Sequence, residues 1–107
     1  MIKYLHIRRI NPETNQIEPF GGATLAYTCT ETDIMVQVAL CHDNDTFCRQ
    51  TGRQVAAGRL RKHGPREIIP IKHPKSEALI EWFATAMFTT PISIARDKDG
   101  RWVTTFD

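Results

Sequence analysis

Residues 23–40 hold two alternating runs joined by three polar residues, and few folds accommodate that arrangement. From Ala23 to Thr30, Leu25, Tyr27 and Cys29 stand opposite Thr24, Ala26 and Thr28. After Glu31-Thr32-Asp33, Ile34, Val36, Val38 and Leu40 line one face of a second run, with Met35, Gln37 and Ala39 on the other. A period of two, with threonine, tyrosine and β-branched residues, marks a strand. So short a link makes the pair antiparallel, because parallel neighbours need a long crossover. Residues 3–10 alternate in the same way, with Leu5 and Ile7 inward and Tyr4, His6 and Arg8 leaning towards solvent.

The remaining elements follow from punctuation. Asn11 to Gln16 and Gly21-Gly22 read as turns. A helix begins within His42 to Thr46, with Asp43 as the expected N-cap and Asp45 in the first turn, where both would complement free backbone N–H groups. It runs to about Lys62 and stops at His63-Gly64-Pro65. Arg66 to Ile71 is a short strand, and Pro70, lacking a ladder donor, places it at a sheet edge. His73-Pro74 opens a second helix whose stripe is Leu79, Ile80, Phe83, Ala84 and Met87. It ends at Thr89-Thr90-Pro91. A terminal hairpin follows, Ile92–Arg96 with Trp102–Phe106, and both tryptophans, Trp82 and Trp102, are assigned to the core. The order β-β-β-α-β-α-β-β predicts an α+β fold. We expect a single domain over residues 1–107, an antiparallel sheet with both helices packed on one face.

Composition excludes several classes. The chain is 41% hydrophobic and 24% charged, as in ordinary globular domains. No apolar run approaches the ~20 residues of a membrane span. No signal peptide is visible, and the three cysteines (Cys29, Cys41, Cys48) are an odd number, so the expectation is a cytoplasmic protein with free thiols. Net charge is only +2, but it is unevenly spread. From Arg49 to Lys75 there are eight basic residues against one acid, Glu67, leaving six of the 14 basic residues and 11 of the 12 acidic ones elsewhere. The protein is therefore polarised, with one basic region on an acidic body.

The first helix is the most unusual segment. Gly52 and Gly58 each cost about 1 kcal/mol relative to alanine in a helix interior. Gly52 and Ala56 lie one turn apart, and small residues at that spacing let a helix approach a sheet closely, with Phe47 and Leu60 anchoring its ends. Arg49, Arg53 and Arg61, spaced at four and eight, are expected to share the opposite side, flanked by Gln50 and Gln54. With Lys62 and Arg66 they form the candidate partner- or phosphate-binding surface. Arginine forks match phosphate oxygens; they match a partner's carboxylates equally well, and a solvated helix face is the plain alternative.

The motif Phe-x-Arg-x-x-Gly-Arg-x-x-Ala-x-Gly-Arg-Leu, carried here by Phe47, Arg49, Gly52, Arg53, Ala56, Gly58, Arg59 and Leu60, resembles a loose group of small proteins encoded by bacteriophages and prophages. The likeness covers roughly residues 23 to 62. It implies a viral setting rather than an activity. Small phage proteins often bind and block a host machine, CRISPR–Cas effectors among them. The resemblance therefore implies an anti-CRISPR-like inhibitor in the host cytoplasm, with a host protein or protein–nucleic-acid complex as partner.

No catalytic constellation emerges. Cys41 and Cys48 are seven apart with no second ligand pair, unlike zinc sites, so both cysteines read as small buried residues. Cys41 and His42 are neighbours on a strand and point to opposite faces. Neither Gly21-Gly22 nor His63-Gly64-Pro65-Arg66 continues into a phosphate loop. The expectation is a binding protein rather than an enzyme, without metal or cofactor. The open edge at Arg66–Ile71 also allows a homodimer.

Overall fold

The alternating runs become the centre of one six-stranded sheet. The computed structural model describes residues 1–106, with β1 at Lys3–Arg9, β2 at Ala23–Cys29, β3 at Asp33–Leu40, α1 at Arg49–His63, β4 at Glu67–Pro70, α2 at Lys75–Ala86, β5 at Ala95–Arg96 and β6 at Trp102–Thr104. The strand order is β4-β3-β2-β1-β6-β5. This is the α+β class that the element order implies. Every neighbouring pair is antiparallel except β1 and β6, which run parallel with Ile7 opposite Trp102. The sheet is thus mixed, because the terminal hairpin enters beside β1 rather than extending the meander.

The two helices lie on opposite faces, not on one. In register across the sheet, Leu5 faces Leu25 and Leu25 faces Val38. These residues, with Ile7, Ile34 and Val36, form the main core under Leu79, Ile80 and Phe83 of α2. The alternate positions Ala26 and Ala39 form a second, smaller core with Ala56 of α1, joined by Tyr4 and Leu60. The split goes with the connectivity. β4 is one edge of the sheet and β5 the other, so α2 must carry the chain across a full face. α1 links the adjacent strands β3 and β4 and lies over the other.

The two helices also pack differently. α2 uses large side chains, and Leu79 and Phe83 are wholly buried. α1 uses the lack of one. A Cβ on Gly52 would stand 2.2 Å from Thr24 Oγ1 and 3.0 Å from Thr24 Cβ. The small strip of Gly52 and Ala56 thus does let α1 approach the sheet closely. Polar ties hold the rest of the helix. Arg59 Nη1 donates to the Val38 carbonyl at 2.8 Å. Gln37 Nε2 donates to the Gly64 carbonyl at 3.2 Å, just past the helix. Gly64 itself, with φ of 76°, donates to the Leu60 carbonyl and ends α1 where the Gly-Pro pair predicts.

The N-terminus of α1 differs from expectation. The N-cap is Cys48, and the first turn contains no acid. Asp43 is held instead by Arg9, whose Nη1 lies 2.7 Å from Asp43 Oδ1. Asp45 stays in the loop, where its carbonyl accepts from the Gly21 N–H. Loops 10–22 and 41–48 bind each other, since Phe47 N donates to the Pro19 carbonyl. The Asp43 carboxylate is thus engaged within the loops, and the helix starts at Arg49. Trp82 and Trp102 are half-buried and pack against the main core. The cysteines are not core residues: Cys29 and Cys48 are exposed and Cys41 is half-buried, all three as free thiols. Among the described residues, no helix is long and apolar enough to cross a membrane.

Gly52→Ala should destabilise the protein by about 1–3 kcal/mol, as overpacking does, although alanine is the better helix former. Denaturant unfolding of Gly52→Ala, Thr24→Ala and the double variant checks the cause. The alanine at 52 should cost less once Thr24 is shortened, and strict additivity would be the contrary result.

Candidate functional site

The sequence puts a basic region on α1, and the structure divides it in two. Helical residues advance by about 100° each. Arg49, Arg53, Ala56 and Leu60 therefore fall on one stripe, the stripe that turns towards the sheet. Arg61 lies about 80° further round than Arg53, because eight residues overshoot two full turns. Arg61 and Lys62 face solvent, and both are exposed. The expected single face of Arg49, Arg53 and Arg61 does not exist. In its place are an N-terminal pair, Arg49 and Arg53, and a C-terminal group, Arg61 and Lys62, with Arg66 in the turn to β4. Twelve residues separate Arg49 from Arg61, about 18 Å along the axis. Among the described residues, none of these five side chains forms a salt bridge. The recorded ion pairs are Arg9–Asp43, Lys72–Glu81, Arg101–Asp97 and Arg101–Asp99.

The N-terminal pair joins residues that the sequence assigns to solvent. His6 and Arg8 point to the α1 side of β1. His6 is half-buried, not a surface residue, and its Nδ1 shares a 2.9 Å hydrogen bond with Thr24 Oγ1. Phe47 is the hinge of the cluster. Its ring meets the His6 ring edge-on with centroids 5.6 Å apart. The Arg8 guanidinium sits over the same ring, 4.5 Å from its centre. Gly22, with φ of 100°, makes room: a Cβ there would come within 2.8 Å of Phe47 Cδ1. Arg8 Nη2 donates to the Glu18 carbonyl at 3.0 Å, while the buried Arg8 Nε has no partner among the described residues.

Charge is concentrated here, and among the described residues no carboxylate forms a salt bridge with Arg8, Arg49 or Arg53. Burial, then Arg49, Arg53 and Arg8, push the His6 pKa from 6.5 down to about 4. Burial, then Arg49 and Arg101, lower that of Arg8. His6 is therefore neutral at pH 7, and the positive groups acting on it are the three arginines Arg49, Arg53 and Arg8. The alternation of β1 holds the signal for this cluster, since it puts His6 and Arg8 on one face. Only the register of β1 against β2, with His6 opposite Thr24, shows that the face is covered.

Beside the cluster, a cavity of about 200 Å³ opens between the first turn of α1 and the sheet, lined by Thr24, Cys41, Phe47, Cys48 and Gly52 among others. The nearby hydroxyl and backbone N–H of Thr51 lower the Cys48 pKa. Burial raises that of Cys41, whose Sγ donates to the Asp45 carbonyl at 3.4 Å. A carbonyl accepts that hydrogen bond without removing the proton, so the arrangement activates no Cys41 nucleophile. Among the described residues, no group of three or more His, Cys, Asp or Glu side chains is placed to hold a metal ion. The chemistry this surface offers is recognition of anions by arginine, lysine and amide groups. No protein-family model, curated protein or solved structure matches the chain.

His6 gives the cluster a pH signature. Its folded pKa is depressed, so the unfolded chain binds the extra proton first. The stability contributed by neutral His6 is complete above about pH 6.5 and is lost as pH falls towards 4. Thermal unfolding followed from pH 7 to pH 4 should show a falling Tm, and His6→Asn should flatten that slope. An unchanged slope in the variant would remove His6 as its cause.

Proposed function

We propose that this chain is a binding protein that docks α1, with the arginine cluster at its N-terminal end, on the phosphodiester backbone of nucleic acid. One observation carries the reading. Every ionisable side chain of α1 is basic, and Arg49, Arg53, Arg61 and Lys62 have no carboxylate partner among the described residues. A solvated structural helix ordinarily mixes signs, because i,i+4 pairs add helix stability. An all-basic helix forgoes that gain and suits an anionic surface. Arg49 and Arg53 at one end, with Arg61, Lys62 and Arg66 at the other, can reach phosphates about 18 Å apart.

A second reading has the same helix docking on the carboxylates of a host protein, as a phage-type inhibitor of a CRISPR–Cas effector would. The open edge strand β4 favours it. Ile68 on that edge is 55% exposed, and an apolar side chain on an unpaired strand engages protein rather than phosphate. This reading expects a stoichiometric complex with a host protein that Ile68→Lys abolishes.

Fluorescence anisotropy with labelled duplex and single-stranded DNA and RNA tests the first reading. About five phosphate contacts should make affinity fall roughly 10²–10³-fold between 50 and 200 mM salt. Arg53→Glu with Arg61→Glu should abolish binding. Binding indifferent to both salt and charge reversal would overturn the proposal.

A further inference from the structure

α1 contains two glycines, and the fold accounts for only one. Gly52 is required by Thr24 beneath it. Around Gly58 the situation is the reverse: an added Cβ would meet nothing within 4 Å. Its φ is not in the left-handed region, so no turn or cap demands glycine there. Gly58 sits in the interior of a 15-residue helix, on the exposed side. There it forfeits helix propensity with no compensating contact inside the molecule.

Its surroundings are cationic on one side and mixed on the other. The neighbours a turn away on the same face are Gln54 and Val55 before it, and Arg61 and Lys62 after it. All four are exposed. Gly58 is thus a notch in a helix face, bordered on one side by two unpaired cations and on the other by an amide and a methyl-bearing side chain. Without a Cβ, a partner can come against the helix backbone itself.

We propose that this notch is the seat of the sugar-phosphate backbone of a double-stranded nucleic acid. Arg61 and Lys62 engage flanking phosphates, and Gln54 hydrogen-bonds to sugar or base edge. The inference rests on the nucleic-acid reading and names the form of nucleic acid. Charge complementarity selects the polyanion, since α1 bears no acid at all. The absence of aromatics selects the duplex. Surfaces that hold single strands stack bases on aromatic side chains, and α1 has none. A helix of about 22 Å presents an extended face to a rigid rod.

The test is a pair of measurements that move in opposite directions. Gly58→Ala should raise Tm by about 4–8 °C, because alanine restores helix propensity. The same substitution should weaken duplex binding about ten- to a hundredfold, because the added methyl occupies the seat. Gly58→Leu, also a good helix former, should weaken it further. Thr85→Ala, on the exposed side of α2 across the sheet from α1, serves as the control and should leave affinity unchanged. Anisotropy with one labelled DNA duplex and its separated strands reads the affinity, and circular dichroism reads Tm. Wild-type protein that binds duplex while Gly58→Ala and Gly58→Leu bind equally well would overturn the notch and leave the nucleic-acid reading standing. Preference for the single strand would also overturn the notch. Wild-type protein that binds no nucleic acid would overturn both.

Discussion

The approach of α1 to the sheet at Gly52 and Thr24 sets the positions of most other groups. With glycine at 52, the helix comes so near that a single methyl would lie 2.2 Å from Thr24 Oγ1. That contact fixes the rotation of α1 about its axis. Ala56 and Leu60 then fall inward, and Arg59 reaches the Val38 carbonyl. Arg49 and Arg53 stand over β1, whereas Gln54, Gly58, Arg61 and Lys62 turn outward. A rotation of one residue would bring a larger side chain against Thr24. The small residues of both partners, Gly52 and Ala56 above and Thr24, Ala26 and Ala39 below, act as one device.

Packing rather than charge decides where α1 sits. Crowding Arg8, Arg49 and Arg53 around His6 is unfavourable, and these arginines add to burial, the larger cause, in depressing the His6 pKa. Yet two exposed charges 4 Å apart in water interact by only about 1 kcal/mol, and salt screens them beyond roughly 8–10 Å. A steric overlap of the kind Gly52 avoids costs more and is not screened. Phe47 eases the crowding further, offering its ring face to the Arg8 guanidinium and a T-shaped contact to the His6 ring. The fold therefore tolerates a concentrated positive patch, and a bound anion would convert that repulsion into attraction.

Much of this was legible in the residues. Alternation located β1, β2 and β3, the Gly64-Pro65 pair ended α1, and the Leu79–Phe83 stripe located α2. The Gly52–Ala56 strip predicted the close approach. What escaped was tertiary. The second face of the sheet reads as solvent-facing because Thr24, Ala26 and Ala39 are not strongly apolar. Their smallness, rather than their polarity, is the signal that a helix lies on them. His6 and Arg8 read as solvent-facing because they are polar, and only their contacts with Thr24 and Phe47 show the face to be covered. Asp43 is a sound N-cap by local rules, but it pairs with Arg9, distant in sequence, and the helix starts after Cys48 instead. The parallel β1–β6 pair depends on where a terminal hairpin docks, which no local pattern encodes. The three arginines shared a face only under a count of four and eight, and a pitch of 3.6 residues separates them.

The two glycines of α1 show how structure can separate what a fold requires from what it merely permits. Viewed as sequence, both weaken the helix equally. Viewed in place, Gly52 is explained by an atom of Thr24, and its loss of propensity is offset by packing. Gly58 has no such atom. The lack of acids on α1 has the same standing: an opposite charge on the exposed face would add helix stability and disturb nothing in the core. An uncompensated glycine and an unbalanced charge thus meet on one surface of one helix. Internal physics leaves both unexplained, and a polyanion held close to the backbone at Gly58 accounts for both at once.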